Sequence, residues 1–381
     1  MGIFLLVIGL LLFIGLVVVH EWGHFIVARR NGVEVEEFGI FFPPRLFKYK
    51  TKAGWLFTIN ALPLGGFVKL KGEHDTDDEP GSFGAATLWV KSKIMAAGVF
   101  MNLVTALVLL TIVALVGMPK LVDNQFSVKS DAQLMTNEVL IGYVEPGSPA
   151  AKAGLQASDQ LTAIRLPGYS PVAVTSADKL PDITHRFAGK TVDVYYERGG
   201  HENQVRLTLR SKESASQGYL GISPSQYQLQ RYTWSAPVVA VGFSAQVTAL
   251  TFQGLGHALG GLGSTIAGAL TGNHAARENG QTQASSQVSG PVGIFVILKD
   301  GSLLGYQFML LIIAIISLTL AIMNILPIPA LDGGRLWITL IARGLKRPLS
   351  ARVEELVNAA GFVLLISLVI LITVVDVKRF F

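Results

Sequence analysis

Apolar residues along this chain cluster in four long runs instead of alternating throughout. Residues 3–19 carry no charge, and neither do 94–118 or 303–326; a fourth run extends from about Leu356 through Val375. About 20 apolar residues suffice to span a bilayer as a helix, so the pattern predicts four transmembrane helices, within segments 1–31, 88–119, 301–336 and 337–381. The last segment opens with a basic loop. Between the first two runs the period changes. Val33-Glu34-Val35-Glu36 and Phe67-Val68-Lys69-Leu70-Lys71 alternate, and Trp55 to Leu62 is aromatic and β-branched. Pro43-Pro44 and Gly65-Gly66 punctuate the stretch. A small membrane-associated β sheet is expected over 32–87. Segment 120–232 is polar, with strand-like alternation at Thr191 to Tyr195 and Gln204 to Leu209. It reads as an inserted α+β domain. Residues 235–270 are apolar and glycine-rich but contain Gln246, Gln253 and His257. An amphipathic or re-entrant segment is expected over 233–300.

Composition agrees with a polytopic α-helical membrane protein. Half of the 381 residues are hydrophobic, 15% are charged, and the mean hydropathy is +0.48. The net charge of +5 fits basic cytoplasmic loops and gives no reason to invoke nucleic acid. Lysines and arginines gather between Arg29 and Lys93. The positive-inside rule puts that loop in the cytoplasm, and the N-terminus and the 120–232 domain outside. The chain has no cysteine, which excludes disulfides, a thiol nucleophile and thiolate metal ligands. The first helix lacks a basic start and a small-residue cleavage site, so it is expected to be retained.

Chemistry enters at His20-Glu21-Trp22-Gly23-His24. Positions i and i+4 share one helix face, so both imidazoles can bind one metal ion, with Glu21 beside them as a general base. A helix of this kind in a soluble protein needs no functional explanation. Inside a membrane segment, however, three ionisable residues are costly and point to a site. The motif supplies two ligands, and a catalytic zinc ordinarily takes three plus water. Asp332 is the best candidate for the third, lying past an apolar run in a segment marked by proline and glycine. For Asp332 to meet the histidines, the run at 303–326 must cross in the same direction as the first helix. The segment 235–270 then cannot cross fully, and four spans result, with both termini outside.

Gly147-Ser148-Pro149-Ala150-Ala151-Lys152-Ala153-Gly154-Leu155 resembles the signature of bacterial PDZ domains, although Ser158 stands where a glycine is usual. Tyr219-Leu220-Gly221-Ile222 resembles a PDZ carboxylate-binding loop in a permuted strand order, or forms a simple strand turn. PDZ domains bind extended peptides by strand addition. Asn324-Ile325-Leu326-Pro327-Ile328-Pro329-Ala330-Leu331-Asp332-Gly333 matches the N-x-x-P-x-P-x-L-D-G motif that accompanies H-E-x-x-H in site-2 proteases. With Pro63-Leu64-Gly65-Gly66-Phe67-Val68 and Ser289-Gly290-Pro291-Val292-Gly293, nearly the whole chain resembles that family of intramembrane zinc metalloproteases, most closely the bacterial regulator-of-sigma-E type. It differs in having room for one PDZ domain, and in reading Ala97-Gly98-Val99-Phe100-Met101-Asn102 where the family usually has A-G-P-x-x-N, with valine for proline.

The resemblance implies a zinc ion (Zn2+) on His20, His24 and Asp332, with Glu21 as the catalytic base. Asn324 is implied to hold the substrate backbone or the developing oxyanion; a helix–helix hydrogen bond is the other reading of that amide. Gly65, Gly66 and Phe67 are implied to touch substrate, as are Tyr219, Leu220, Gly221 and Ile222 in the PDZ domain. Implied substrates are single-span membrane proteins already cut outside the membrane, such as anti-sigma factors, or remnant signal peptides. The implied setting is a bacterial inner membrane, with the site towards the cytoplasmic side. Two alternatives stay open. One is a non-enzymatic PDZ receptor with a structural metal, which would not need Glu21. The other is a membrane metalloprotease with a glutamate as third ligand, which would not need the Asn324-to-Asp332 motif.

Overall fold

The computed structural model describes residues 2–73, 77–122, 124–211, 218–275, 278–279, 282, 290–345 and 351–380. Most of the polar stretch after residue 275, Ser289 of the predicted 289–293 segment and part of the basic loop after Leu345 lie outside the described residues. The chain forms two compact units. One comprises Phe4–Leu110, Ala240–Gly301 and Met309–Phe381; the other comprises Met1–Ile3, Thr111–Val239 and Ser302–Phe308.

Helix α1 (Gly2–Arg30) ends on Arg29 and Arg30, whose charges suit the negative end of the helix dipole. Strands β1 (Val35–Lys50) and β2 (Leu56–Leu70) follow. Each doubles back on itself, so the two strands make a four-row sheet whose outer pairs are antiparallel and whose two inner rows run parallel. Glu37 pairs with Lys69 on one side and with Leu56 on the other, while Lys48 pairs with Thr58. The row order is therefore 66–70, 35–40, 56–60, 45–50. The buried Glu37 carboxylate ties the inner rows to the last. It accepts from Thr58 Oγ1 at 2.7 Å and from Arg45 at 2.5 Å. Helix α2 (Leu88–Val116) then runs antiparallel to α1. A side chain at Gly23 would meet Ala97, and one at Gly98 would meet His20 and His24.

The second unit carries strands β3 (Met118–Pro119), β4 (Gln133–Val144), β5 (Gln160–Arg165), β6 (Val172–Ala173), β7 (Thr191–Arg198), β8 (His201–Thr208) and β9 (Ile222–Arg231). Their order is β3-β9-β4-β5-β7-β8, with β6 beside β5 and every pairing antiparallel. Two short helices complete it: α3 (Pro149–Lys152) and α4 (Leu180–Arg186). Ser148 caps α3, its Oγ accepting from Ala151 N, and Pro149 takes the first turn, where no amide donor is needed. Val139, Ile141, Leu161, Ile164, Val192 and Val194 form the core. This sheet with two short helices agrees with the PDZ-like expectation. Ser158 has φ +71, which explains why glycine is usual there.

The chain then returns to the first unit as α5 (Ala236–Thr271), α6 (Pro291–Leu303), α7 (Tyr306–Ile325), α8 (Asp332–Gly344) and α9 (Ala351–Phe380). Among the described residues, five helices are long and apolar enough to cross a membrane, not the four expected. The fifth is α5. It is one continuous helix of 36 residues, so no re-entrant turn interrupts 236–271. Its glycines each cost about 1 kcal/mol against alanine, but an apolar segment with no other way to satisfy its backbone keeps its helical hydrogen bonds. Helix α7 lies parallel to α1. Met309 reaches the position that a side chain at Gly9 would take, and Met309 and Ile313 pack in one cluster with Leu16.

Candidate metal centre

The three candidate ligands converge. His20 Nε2 lies 2.9 Å from Asp332 Oδ2, His24 Nε2 lies 3.2 Å from the same oxygen, and the two Nε2 atoms are 3.3 Å apart. Three ligand atoms on a tetrahedral zinc, with bonds of about 2.0–2.1 Å, stand roughly 3.3 Å from one another. The triangle is therefore already close to the size the ion needs. Two imidazoles and one carboxylate are also a donor set that catalytic zinc accepts, with the fourth position open. Among the described residues this is the one group of three such side chains drawn together.

Each ligand is placed by close backbone approach. α2 passes so near the histidines that a Cβ on Gly98 would stand 2.4 Å from His24 Nε2 and 2.6 Å from His20 Nε2. Asp332 was expected in an irregular segment, but it is the first residue of α8. The irregular backbone ends one residue earlier, after Ala330 at φ +70. Gly333 and Gly334 let the start of α8 press against the 325–329 turn. A Cβ on Gly333 would lie 2.4 Å from Leu326 O, and one on Gly334 would lie 2.1 Å from Ile328 O. The Asp-Gly-Gly triplet is thus a packing requirement that fixes where the carboxylate points.

These ligands open onto a cavity of about 420 Å³, which Glu21, Asn324, Gly65, Gly66 and Phe67 also line. Gly66 passes over the base: a Cβ there would sit 2.9 Å from Glu21 Cγ. Row 66–70 is an edge of its sheet, with no further strand paired to it among the described residues, and it borders the cavity; the Leu70 N–H at its end is taken by Glu73 Oε1. Tyr219, Leu220, Gly221 and Ile222 belong to the other unit and are not among the cavity-lining residues. They run from the loop into β9, packed on the Ser148 turn: Leu220 O accepts from Ala150 N, and Gly221 O from Glu145 N.

Sequence reasoning gave no site role to Asn102, Arg335 or Glu73, all of which line the cavity. Asn102 Nδ2 is 3.1 Å from His20 Nδ1. Its signal was visible as a lone carboxamide within the charge-free run 94–118. Arg335, one turn beyond Asp332, donates to Glu73 O, stacks 4.6 Å above the Phe83 ring and pairs with Glu354 at 3.3 Å. Nothing local in the sequence announces those partners.

Residues 8–368 match the description Peptidase family M50. A Clostridium perfringens protein named as a zinc metalloprotease is 30% identical over 381 residues, covering 98% of each chain. A Nostoc protein similarly named is 29% identical over 96% of this chain and 93% of its own. Among solved structures, the PDZ domain of an SdrC-like protein from Listeria monocytogenes is 26% identical over 24% of this chain and 92% of its own, with a TM-score of 0.20. The family match runs through both halves of the metal triangle, from His20 to Asp332, and with it the chain belongs to peptidase family M50, the site-2 protease family of zinc metalloendopeptidases.

Proposed function

We propose that this integral membrane protein cleaves peptide bonds within transmembrane segments of other membrane proteins, in regulated intramembrane proteolysis. The observation that carries the reading is the metal triangle on His20, His24 and Asp332, brought together by the apolar helix α1 and the start of α8 and bordered by a strand edge. Zinc bound there supplies Lewis-acid activation of water near neutral pH. Glu21, beside His20 on α1, takes up the proton released at the attacking water and passes it to the leaving amine. Asn324 donates a hydrogen bond to the scissile carbonyl oxygen as charge develops there.

A substrate helix hides its scissile bond behind its own hydrogen bonds. It must unwind, and row 66–70 offers backbone groups that replace those lost, by strand addition. Anti-sigma factors already cut outside the membrane and remnant signal peptides are the substrates of this kind. The PDZ-like unit takes an extended peptide at Tyr219 to Ile222. The reading places that unit outside a bacterial inner membrane and the cavity towards the cytoplasmic half.

The test is cleavage of a model single-span substrate by purified protein, with and without a zinc chelator, beside Glu21→Gln. Wild type should cleave, the chelator should stop it, and Glu21→Gln should keep its zinc while losing activity. Full cleavage by Glu21→Gln would overturn the assignment of the base.

A further inference from the structure

Asn102 is 1% exposed, and its place is pinned. Ser317 Oγ on α7 donates to its backbone oxygen at 2.8 Å. Its Nδ2 faces His20 Nδ1 at 3.1 Å, while its Oδ1 is buried without a hydrogen-bond partner. The two metal-binding histidines thus meet different groups on α2. His24 Nδ1 lies 2.7 Å from Ile94 O. A carbonyl can only accept, so His24 carries its proton on Nδ1 and its Nε2 lone pair is free for a metal.

His20 has no such constraint. With Nδ2 of Asn102 donating, His20 Nδ1 must accept and the proton sits on Nε2, aimed at Asp332 Oδ2 at 2.9 Å. That arrangement leaves Nε2 unable to coordinate a metal. A half-turn of the carboxamide exchanges its oxygen and nitrogen without moving another atom. Oδ1 then accepts from Nδ1–H, and the Nε2 lone pair becomes available. One end of the amide lacks a partner in either orientation, so the environment does not forbid the turn.

We infer that Asn102 is a positioning residue for the zinc site: its carboxamide oxygen accepts the Nδ1 proton of His20 and so leaves the Nε2 lone pair free for the ion. The inference rests on the zinc reading of the triangle. Metal ligands depend on such partners for ring orientation and basicity, and losing one costs about 10- to 100-fold in affinity or activity.

The experiment measures zinc affinity by competition with a chelator, on full-length protein in detergent, with folding followed by tryptophan fluorescence. Asn102→Leu keeps the volume and removes the acceptor. It should bind zinc about 10- to 100-fold more weakly, and its cleavage activity should return at raised free zinc. Asn102→Asp restores an acceptor and should bind zinc near the wild-type level. Wild-type affinity in folded Asn102→Leu would overturn the inference. So would a tenfold or greater loss in folded Asn102→Asp, and that measurement decides if Asn102→Leu does not fold. Failure of the wild type itself to hold zinc would instead refute the zinc reading, so the two failures are distinguishable.

Discussion

Gly98 occupies a position where any side chain would point into the metal site. Substituting alanine adds a single methyl, yet that methyl would overlap both Nε2 atoms. A backbone position on α2 cannot retreat without breaking the contact of Ala97 with Gly23, so the imidazoles would turn away. Gly98→Ala should therefore lose bound zinc while the protein remains helical, as metal analysis and circular dichroism would report. Retention of stoichiometric zinc would contradict the geometry. Ser158 is the converse case, a side chain where none is favoured. Its left-handed backbone costs about 1 kcal/mol for an ordinary residue. Ser158→Gly should raise the stability of the PDZ-like unit by up to about that amount, less the backbone entropy glycine adds to the unfolded chain. A thermal or denaturant melt measures it.

At the scale of elements, the folded-back sheet has two unlike edges. Row 66–70 borders the cavity, whereas row 45–50 lies at the opposite side of the same sheet. If substrate pairs with the first, Val68→Pro should cut cleavage roughly tenfold or more with zinc retained, because the Val68 N–H lies on the same side of the row as that of Leu70, away from row 35–40, and proline removes it. Lys48→Pro, at the other edge, should change cleavage far less; equal losses would argue against strand addition at the cavity. In the other unit, Asp193 on β7 sits between Arg206 on β8 and Arg165 on β5, at 2.7 and 2.8 Å. Hydrogen bonds from Arg206 and then Arg165 hold its pKa down to about 2. A depressed carboxylate stabilises the fold fully above its unfolded pKa of about 3.9 and loses that contribution as pH falls through the folded value. Acid unfolding of this sheet should therefore gain a limb between about pH 4 and pH 2. Asp193→Asn should flatten it.

For the whole molecule, direction of travel is the useful quantity. α2 runs antiparallel to α1, and α7 runs parallel to it. The start of α7 is therefore at the same membrane face as the end of α2. If α1, α2 and α7 all cross, the chain between α2 and α7 begins and ends on that face. α5, at about 54 Å, is long enough to cross. α6 has 13 residues and at about 20 Å is shorter than the hydrocarbon core of about 30 Å. The four-span reading keeps α5 on the outer side. Because the chain has no cysteine, single cysteines can be introduced at Trp234 and Asn273 and challenged with an impermeant thiol reagent. Labelling of both from outside supports four spans, and labelling of Trp234→Cys alone shows that α5 crosses.

The sequence by itself determined what short-range periodicity encodes. His20, Glu21 and His24 share a helix because their spacing is helical, and apolar length marked four of the five candidate spans. Asp332 was legible because its flanking prolines and glycines form an unusual local pattern. Only the tertiary structure decided what depends on pairing across long separations. It put Asp332 at the start of α8, because Gly333 and Gly334 allow backbone-to-backbone packing there. It folded residues 66–70 onto the far side of row 35–40, a register that alternation cannot specify because either neighbour buries the same face. It made α5 one continuous helix where the crossing direction required of 303–326 had suggested an amphipathic or re-entrant segment. It also set the Asn102 amide against His20 across 82 positions, a contact that exists only because two antiparallel helices cross at Gly98.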